Sequence, residues 1–322
     1  MFDLISIGDA TEDVFMQLKE ASVHCEKGTS KCTLCMDFAT KIPVDRVDKL
    51  IGGNAANVAV GASRLGMRSA FYCVLGKDEQ GELIKRMMIK DKVSTKYIQL
   101  KKNTKTNYSV VLNYEAERTI LVHNEPRKYR LPKLDKSEWV YYTSMGKGFE
   151  NLHKPLLNYI KEYNAKLGFN PGTHQFRKGA KFLSPLLKET YALFLNKEET
   201  QFLMQTKTND FKTLLRKLKA TGPEIAVVTD GPNGSYAYDG NEFYFQDIFD
   251  VPVIERTGCG DSYSIGFIAA LFHGNSWQEA MRWGTLNAAS VIQKIGPEAG
   301  LARLGWMRKT LKEHPKFKPV KF

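Results

Sequence analysis

The feature that most constrains the fold is the regular alternation of strand-like and helix-like segments along most of the chain. "DLISIG" reads as a buried strand. "GGNAANVAVGASRLG" carries Ala, Val and Leu at helical spacing after a Gly-Gly start, with Gly66 as its stop. "SAFYCVLG" is the next strand and "DEQGELIKRMMIKD" a polar helix. Further on, "EWVYYTSMG", "KLGFNPG", "YALFLN" and "EIAVVTDG" read as strands. Helical patterns separate them, at "NLHKPLLNYIKEYN" and from "KEETQFLMQ" onward, and "GSYAYDGNEFYFQ" reads as a hairpin-like pair. Short apolar strands alternating with helices predict a mostly parallel sheet with helices on both faces. No internal repeat or interdomain linker interrupts the 322 residues. The chain is therefore expected to form one α/β domain over 1–322, with the helices after Asp261 completing it.

Two β-rich segments, approximately 14–50 and 104–128, do not belong to that layer. "FATKIPVDRV" alternates like exposed β structure, after a less regular stretch. "TNYSVVLNYEAERTILVHN" is two alternating runs around a polar connection, the pattern of a hairpin. Together they predict a small β-sheet projecting over one edge of the core. Its exposed strand edges are an expected pairing surface for a second subunit.

The chain carries 47 basic and 35 acidic residues, for a net charge of +12. The lysines are scattered and no nucleic-acid motif accompanies them, so a solvated basic surface that attracts anionic substrates is the expected reading. No apolar run approaches the ~18 residues of a membrane span, and "MFDLISIGDA" opens directly as strand and turn without a secretory leader. The expected location is cytoplasmic, with neither nucleic acid nor membrane as partner. Of five cysteines, Cys25, Cys32 and Cys35 lie close together. Cys32 and Cys35 have C-x2-C spacing, but a second such pair is missing, so three reduced thiols are expected rather than a zinc site or a disulfide.

The chemistry concentrates at strand ends. "RTGCGDSYSIGF" leads glycines into an apolar helix. A helix N-terminus offers unpaired N–H groups and positive dipole charge, so Gly258, Cys259 and Gly260 can cradle an oxyanion or phosphate. Alone, that string also fits a tight turn with Asp261 as a helix cap. "GDATED" supplies Asp9, Glu12 and Asp13 after the first strand, and "NKEE" supplies Asn196, Glu198 and Glu199 after another. "TDGPNG" is a glycine-rich turn after a third. Ligand sites of open parallel sheets lie beyond the carboxyl ends of the strands, which gives these groups a reason to converge.

Taken in order, "GDATED", "GGNAANVAVGASRLG", "NKEE", "VVTDGPNG" and "RTGCGDSYSIGF" resemble the ribokinase-like pfkB family of carbohydrate and nucleoside kinases across nearly the whole chain. The resemblance implies a Rossmann-like α/β core with a β-sheet lid, and ATP-dependent phosphoryl transfer to a sugar-like hydroxyl. It makes Asp261 the catalytic base and Gly258, Cys259 and Gly260 the anion hole. Asp13, Gly52, Gly53 and Asn57 match sugar-contacting positions. Asn196 and Glu199 match the segment that orients Mg2+ and phosphate, partly through water. Thr229, Gly231 and Gly234 match the nucleotide-side turn, and Asn287 an adenine-side contact, with Thr285 as a neighbouring candidate.

Several residues depart from the family pattern. Cys259 stands where alanine is common, and is read as a packing residue. Glu255 stands where many relatives carry an aspartate associated with a monovalent cation, which leaves K+ activation open. Thr11 and Asn54 occupy positions where sugar contacts vary. Arg118, in "ERTILVH", can reach an anionic substrate from the lid or face solvent. The expected function is a kinase for a primary hydroxyl of a carbohydrate. A nucleoside kinase and a catalytically silent sugar- or nucleotide-binding regulator are the alternatives.

Overall fold

The computed structural model describes residues 1–26, 32–115 and 117–322. In chain order, β1 (Phe2–Ile7) is followed by β2 (Thr11–Leu18), β3 (Ser22–Cys25), β4 (Cys32–Cys35) and β5 (Val44–Gly52). Next come α1 (Asn54–Arg64), β6 (Ser69–Gly76), α2 (Glu79–Lys90) and β7 (Ser94–Lys101), then β8 (Asn107–Tyr114) and β9 (Glu117–His123). The central segment holds β10 (Ser137–Tyr142), α3 (Glu150–Tyr163), β11 (Lys166–Phe169), α4 (Thr173–Phe176), α5 (Gly179–Leu187), β12 (Thr190–Asn196), α6 (Lys197–Leu203) and α7 (Phe211–Lys219). The last part holds β13 (Ile225–Thr229), β14 (Ser235–Tyr238), β15 (Phe243–Gln246), α8 (Cys259–Phe272), α9 (Trp277–Val291), α10 (Leu304–Glu313) and β16 (Val320–Lys321).

Ten strands form one sheet in the order β16-β15-β14-β13-β12-β11-β10-β1-β6-β7. From β7 to β13 every neighbouring pair is parallel, and β14, β15 and β16 add an antiparallel edge. The strand period of two sends alternate side chains to opposite faces. Ile5, Ile7, Val140 and Tyr142 join the core that holds Leu152 and Leu156 of α3 and Leu215 and Leu218 of α7. Leu4, Trp139 and Tyr141 join the opposite core, with Val58 of α1, Phe267 of α8 and Leu286 of α9. Both faces are therefore covered by helices, as the apolar strands required. Among the described residues no helix is long and apolar enough to cross a membrane.

A separate sheet has the order β5-β2-β8-β9. β2 lies between an antiparallel β5 and a parallel β8, while β8 and β9 form the expected antiparallel hairpin. The stretch before Leu50 is thus more regular than its sequence suggests. β2 is already strand from Thr11, and its mostly buried run hides the alternation of a half-exposed strand. β7 also escapes the sequence pattern. β16 corrects the expectation that helices complete the chain, because Val320 pairs with Phe245 at the sheet edge.

The cysteine expectation needs correction as well. Cys25 and Cys32 face each other in the β3–β4 ladder and are joined by a disulfide with an S–S distance of 2.00 Å. Their proximity comes from hairpin register, which sequence spacing does not reveal. Part of the connecting segment, 27–31, lies outside the described residues. Cys35, Cys73 and Cys259 are free. Three free thiols per chain should therefore react with a thiol reagent in the unreduced, denatured protein. A count of five would contradict the pairing.

Candidate active site

A cavity of about 1100 Å³ runs along the carboxyl ends of β1, β11, β12 and β13 and under the second sheet. Its wall contains Asp261 and the Gly258–Gly260 loop, Asp13, Gly53 and Asn57, Asn196 and Glu199, and Thr229, Gly231 and Gly234. Residues more than 240 positions apart are thus brought together by the shared sheet end.

The α8 N-terminus is built around Gly258, whose φ of 79° lies in the left-handed region. A Cβ there would sit 2.4 Å from Pro297 Cβ, so glycine is needed for conformation and for space. No side chain caps α8, which leaves first-turn N–H groups available for an anion. A Cβ on Gly260 would meet nothing within 4 Å, which marks open space beside the loop. The sequence left open whether Asp261 is only a cap. In the structure it does not cap the helix; it lies within the first turn, 7% exposed, and accepts a 2.7 Å hydrogen bond from Asn57 Nδ2. Burial pushes its pKa from 3.8 up to about 7, against the Asn57 hydrogen bond and with help from the charge of Glu199.

Asn57 reaches Asp261 from α1, 204 positions away in sequence. Among the described residues its Oδ1 is buried without a partner, and it is suited to accept from a substrate hydroxyl. Asp13 stands on β2, paired in register with Ser109 of β8. Burial raises its pKa to about 6, opposed by the Ser109 and Thr11 hydroxyls and reinforced by Glu255. Gly52 does not line the cavity. A Cβ there would fall 1.8 Å from Asp13 Oδ2, so its contribution is to seat that carboxylate.

Asn196 and Glu199 form the capping box of α6. Asn196 Oδ1 accepts from the Glu199 N–H at 2.7 Å, and Glu199 Oε2 accepts from the Asn196 N–H at 2.9 Å. That locks both side chains toward the cavity and leaves the second Glu199 oxygen for a cation. Burial raises the Glu199 pKa. A Mg2+ ion, which commonly combines one or two carboxylates with phosphate oxygens and waters, fits this donor set. Among the described residues no group of three acidic, His or Cys side chains forms a metal cage. Both oxygens of Glu255 already have donors: Thr257 N–H and hydroxyl on Oε1, and Gly296 N–H at 3.4 Å on Oε2.

Asn287 is a correction. It is fully buried; its Nδ2 donates to Ser262 O at 2.7 Å and its Oδ1 accepts from Ala302 N–H at 3.0 Å. Both ends of its amide are spent bracing α9 against α8 and against the segment before α10, and it does not line the cavity. Thr285 does line the cavity, as do the apolar residues Ile248, Phe249, Ala288 and Ile292. Asn107, Asn124 and Asn170 also line it and were not singled out in the sequence. Asn170 stood in the legible "NPG" strand end; Asn107 and Asn124 bound the lid hairpin, where polar residues look like ordinary turns.

Arg118 lines the cavity from β9, and neighbouring Glu117 bridges to Arg256 at 3.3 Å. Burial pushes the Cys259 thiol up to about 11, although the charges of Arg118 and Arg256 act the other way. The thiol stays protonated at neutral pH, in keeping with packing rather than nucleophilic chemistry.

A family model described as pfkB family carbohydrate kinase matches residues 21–303. The chain belongs to that family. Fructoselysine 6-kinase of Escherichia coli is 27% identical over 248 residues, covering 76% of this chain and 90% of its own. The nucleoside kinase of Methanocaldococcus jannaschii superposes with a TM-score of 0.81 at 19% identity, covering 98% of this chain and 99% of its own. The Arabidopsis thaliana ribokinase complexed with ribose and ATP superposes with a TM-score of 0.80 at 19% identity, covering 97% and 99%. The ribokinase-like fold, with its separate lid sheet, is therefore shared with sugar and nucleoside kinases alike.

With Asp261 as proton acceptor, only its ionised form is competent, so activity should rise as pH passes upward through its pKa. The expected acidic limb of kcat/KM lies near pH 7, and steepens below about pH 6 as Asp13 also takes a proton. A profile flat from pH 5 to 8 would remove Asp261 from the proton transfer.

Proposed function

We propose that this chain phosphorylates a primary hydroxyl of a sugar, with ATP as donor. The observation that carries the reading is the placement of a buried, high-pKa carboxylate, Asp261, in the first turn of an uncapped helix opening into a large cavity. The carboxylate and the helix N-terminus serve different atoms. The hydroxyl proton passes to an Asp261 oxygen as the hydroxyl oxygen attacks the γ-phosphorus. The new O–P bond forms while the bond to the β,γ-bridging oxygen breaks, and ADP leaves with those electrons. N–H groups at the Gly258–Gly260 loop stabilise charge on the transferring phosphoryl oxygens. Asn57 holds Asp261 in place and offers its free Oδ1 to the sugar. Asn196 and Glu199 would hold Mg2+, which supplies charge neutralisation on the phosphates.

The acceptor end favours a polyol. Asp9, Asp13, Asn54, Asn57, Asn107 and Asn124 line the cavity, a set of hydrogen-bonding groups suited to several hydroxyls. A nucleoside acceptor is the second reading, because Ile120, Val122 and Met145 also line the cavity and offer apolar surface against which a base could pack. ATP consumption measured over pentoses, hexoses, sugar phosphates and nucleosides separates the two. No turnover with any of them, despite nucleotide binding, would support a silent binder instead.

Asp261→Asn should lower kcat by about 10²–10⁴-fold while nucleotide affinity is kept. The stability sign is opposite. Because the folded-state pKa of Asp261 is raised above 3.8, its ionised form costs stability as pH rises, fully above about pH 7. The asparagine variant should therefore unfold no lower than the wild type at pH 8. Near-normal kcat would reduce Asp261 to a structural residue.

A further inference from the structure

One polar group among these cavity-wall residues takes no part in the phosphoryl or proton transfer and has an oxygen to spare. Asp9 follows β1 directly and is anchored by its N–H to Ser144 O at 3.1 Å. Its Oδ2 accepts from the Tyr129 hydroxyl at 2.6 Å and from Gly146 N–H at 2.8 Å. Its Oδ1 is buried and has no hydrogen-bond partner among the described residues. The carboxylate is thus oriented firmly through Oδ2, while Oδ1 has no hydrogen-bond partner within 3.5 Å among the described residues, with the Asn107 side chain nearby.

A buried cation stands close by without closing the gap. Arg127 is 7% exposed, and its Nη2 donates to Lys105 O and Asn107 Oδ1, both at 2.9 Å. Its Nε and Nη1 have no hydrogen-bond partner among the described residues. Burial raises the pKa of Asp9 against the Tyr129 and Gly146 hydrogen bonds, the charge of Arg127 and, least, the approach of the Asn107 side chain, which makes no hydrogen bond to Oδ1 within 3.5 Å. Arg127 nevertheless makes no direct ion pair with Asp9. Buried polar groups in native proteins are rarely left unpaired, and the exceptions concentrate where a ligand completes them.

We propose that Asp9 is a specificity-determining residue of the acceptor pocket. Its free Oδ1 takes a hydrogen bond from a hydroxyl or amino group of the sugar remote from the hydroxyl that is phosphorylated. It thereby selects neutral or amino sugars over sugar acids and sugar phosphates. The inference rests on the kinase reading. Its physical basis is an asymmetry: a sugar with a donor at that position satisfies a buried acceptor, whereas one without leaves it unmade. An anionic group there would face the Asp9 carboxylate, with Asp13 lining the same cavity.

The test uses the full-length enzyme with ATP and four acceptor classes: neutral sugars, amino sugars, sugar acids and sugar phosphates. The wild type should prefer one of the first two. With its best acceptor, Asp9→Ala should raise KM by about 10- to 100-fold and leave kcat within about threefold, the mark of a ground-state contact. Asp9→Asn keeps the shape and the Tyr129 contact; it should raise KM less and narrow the discrimination against sugar acids. ATP affinity and thermal unfolding show whether each variant is folded, and Asp9→Asn carries the test if Asp9→Ala is not. A wild type that prefers sugar acids or phosphates overturns the proposal and leaves the kinase reading standing. So does an unchanged KM in the folded variants. A wild type that turns over no acceptor overturns both.

Discussion

The site depends on a carboxylate taken out of water. Asp261 sits in a helix whose next nine residues are also buried, and Asn57 supplies its one direct side-chain hydrogen bond. Removing an ionised group from water is costly, and the raised pKa expresses that cost. The same burial brings the group near neutrality, where a proton acceptor is most effective. What weakens Asp261 as a stabilising residue is what would equip it for the base role proposed for it.

The remaining geometry keeps that carboxylate supplied with partners. The parallel sheet gathers the ends of β1, β11, β12 and β13 on one side, and loops from each contribute wall residues. Asn57 on α1 and Asp261 on α8 meet because those helices cover the same face of the sheet. Asn287 ties α8 to the segment before α10 from behind. The lid sheet adds Asp13 and Arg118, so both sheets contribute to the wall of the cavity.

The sequence made the core legible because its rules are local: apolar runs, helical spacing, glycines at strand ends. The two glycine-led helix starts were readable together as a family signature, and of the site residues named from them (Gly52, Gly53, Asn57, Gly258, Cys259, Gly260 and Asp261) all except Gly52 line the cavity. Contacts that depend on tertiary approach were not readable. Gly52 looks like a sugar contact until its distance to Asp13 is known, and Asn287 looks like a free amide until Ser262 and Ala302 claim it. The Cys25–Cys32 pairing needed the hairpin register. Asp9 was visible as an acid after a strand; its unpaired oxygen was not.

The Asn57–Asp261 contact is the point at which these elements meet, and it can be probed without assuming which sugar is the natural acceptor. Asn57→Leu has similar volume, keeps water out and removes the hydrogen bond that favours the ionised carboxylate. The pH dependence of kcat/KM for this variant, taken with any accepted sugar, separates loss of sugar contact from loss of support to the base. The expected result is an acidic limb displaced to higher pH than in the wild type, whatever the drop in overall rate. A limb that stays in place would show that Asn57 does not govern the ionisation of Asp261.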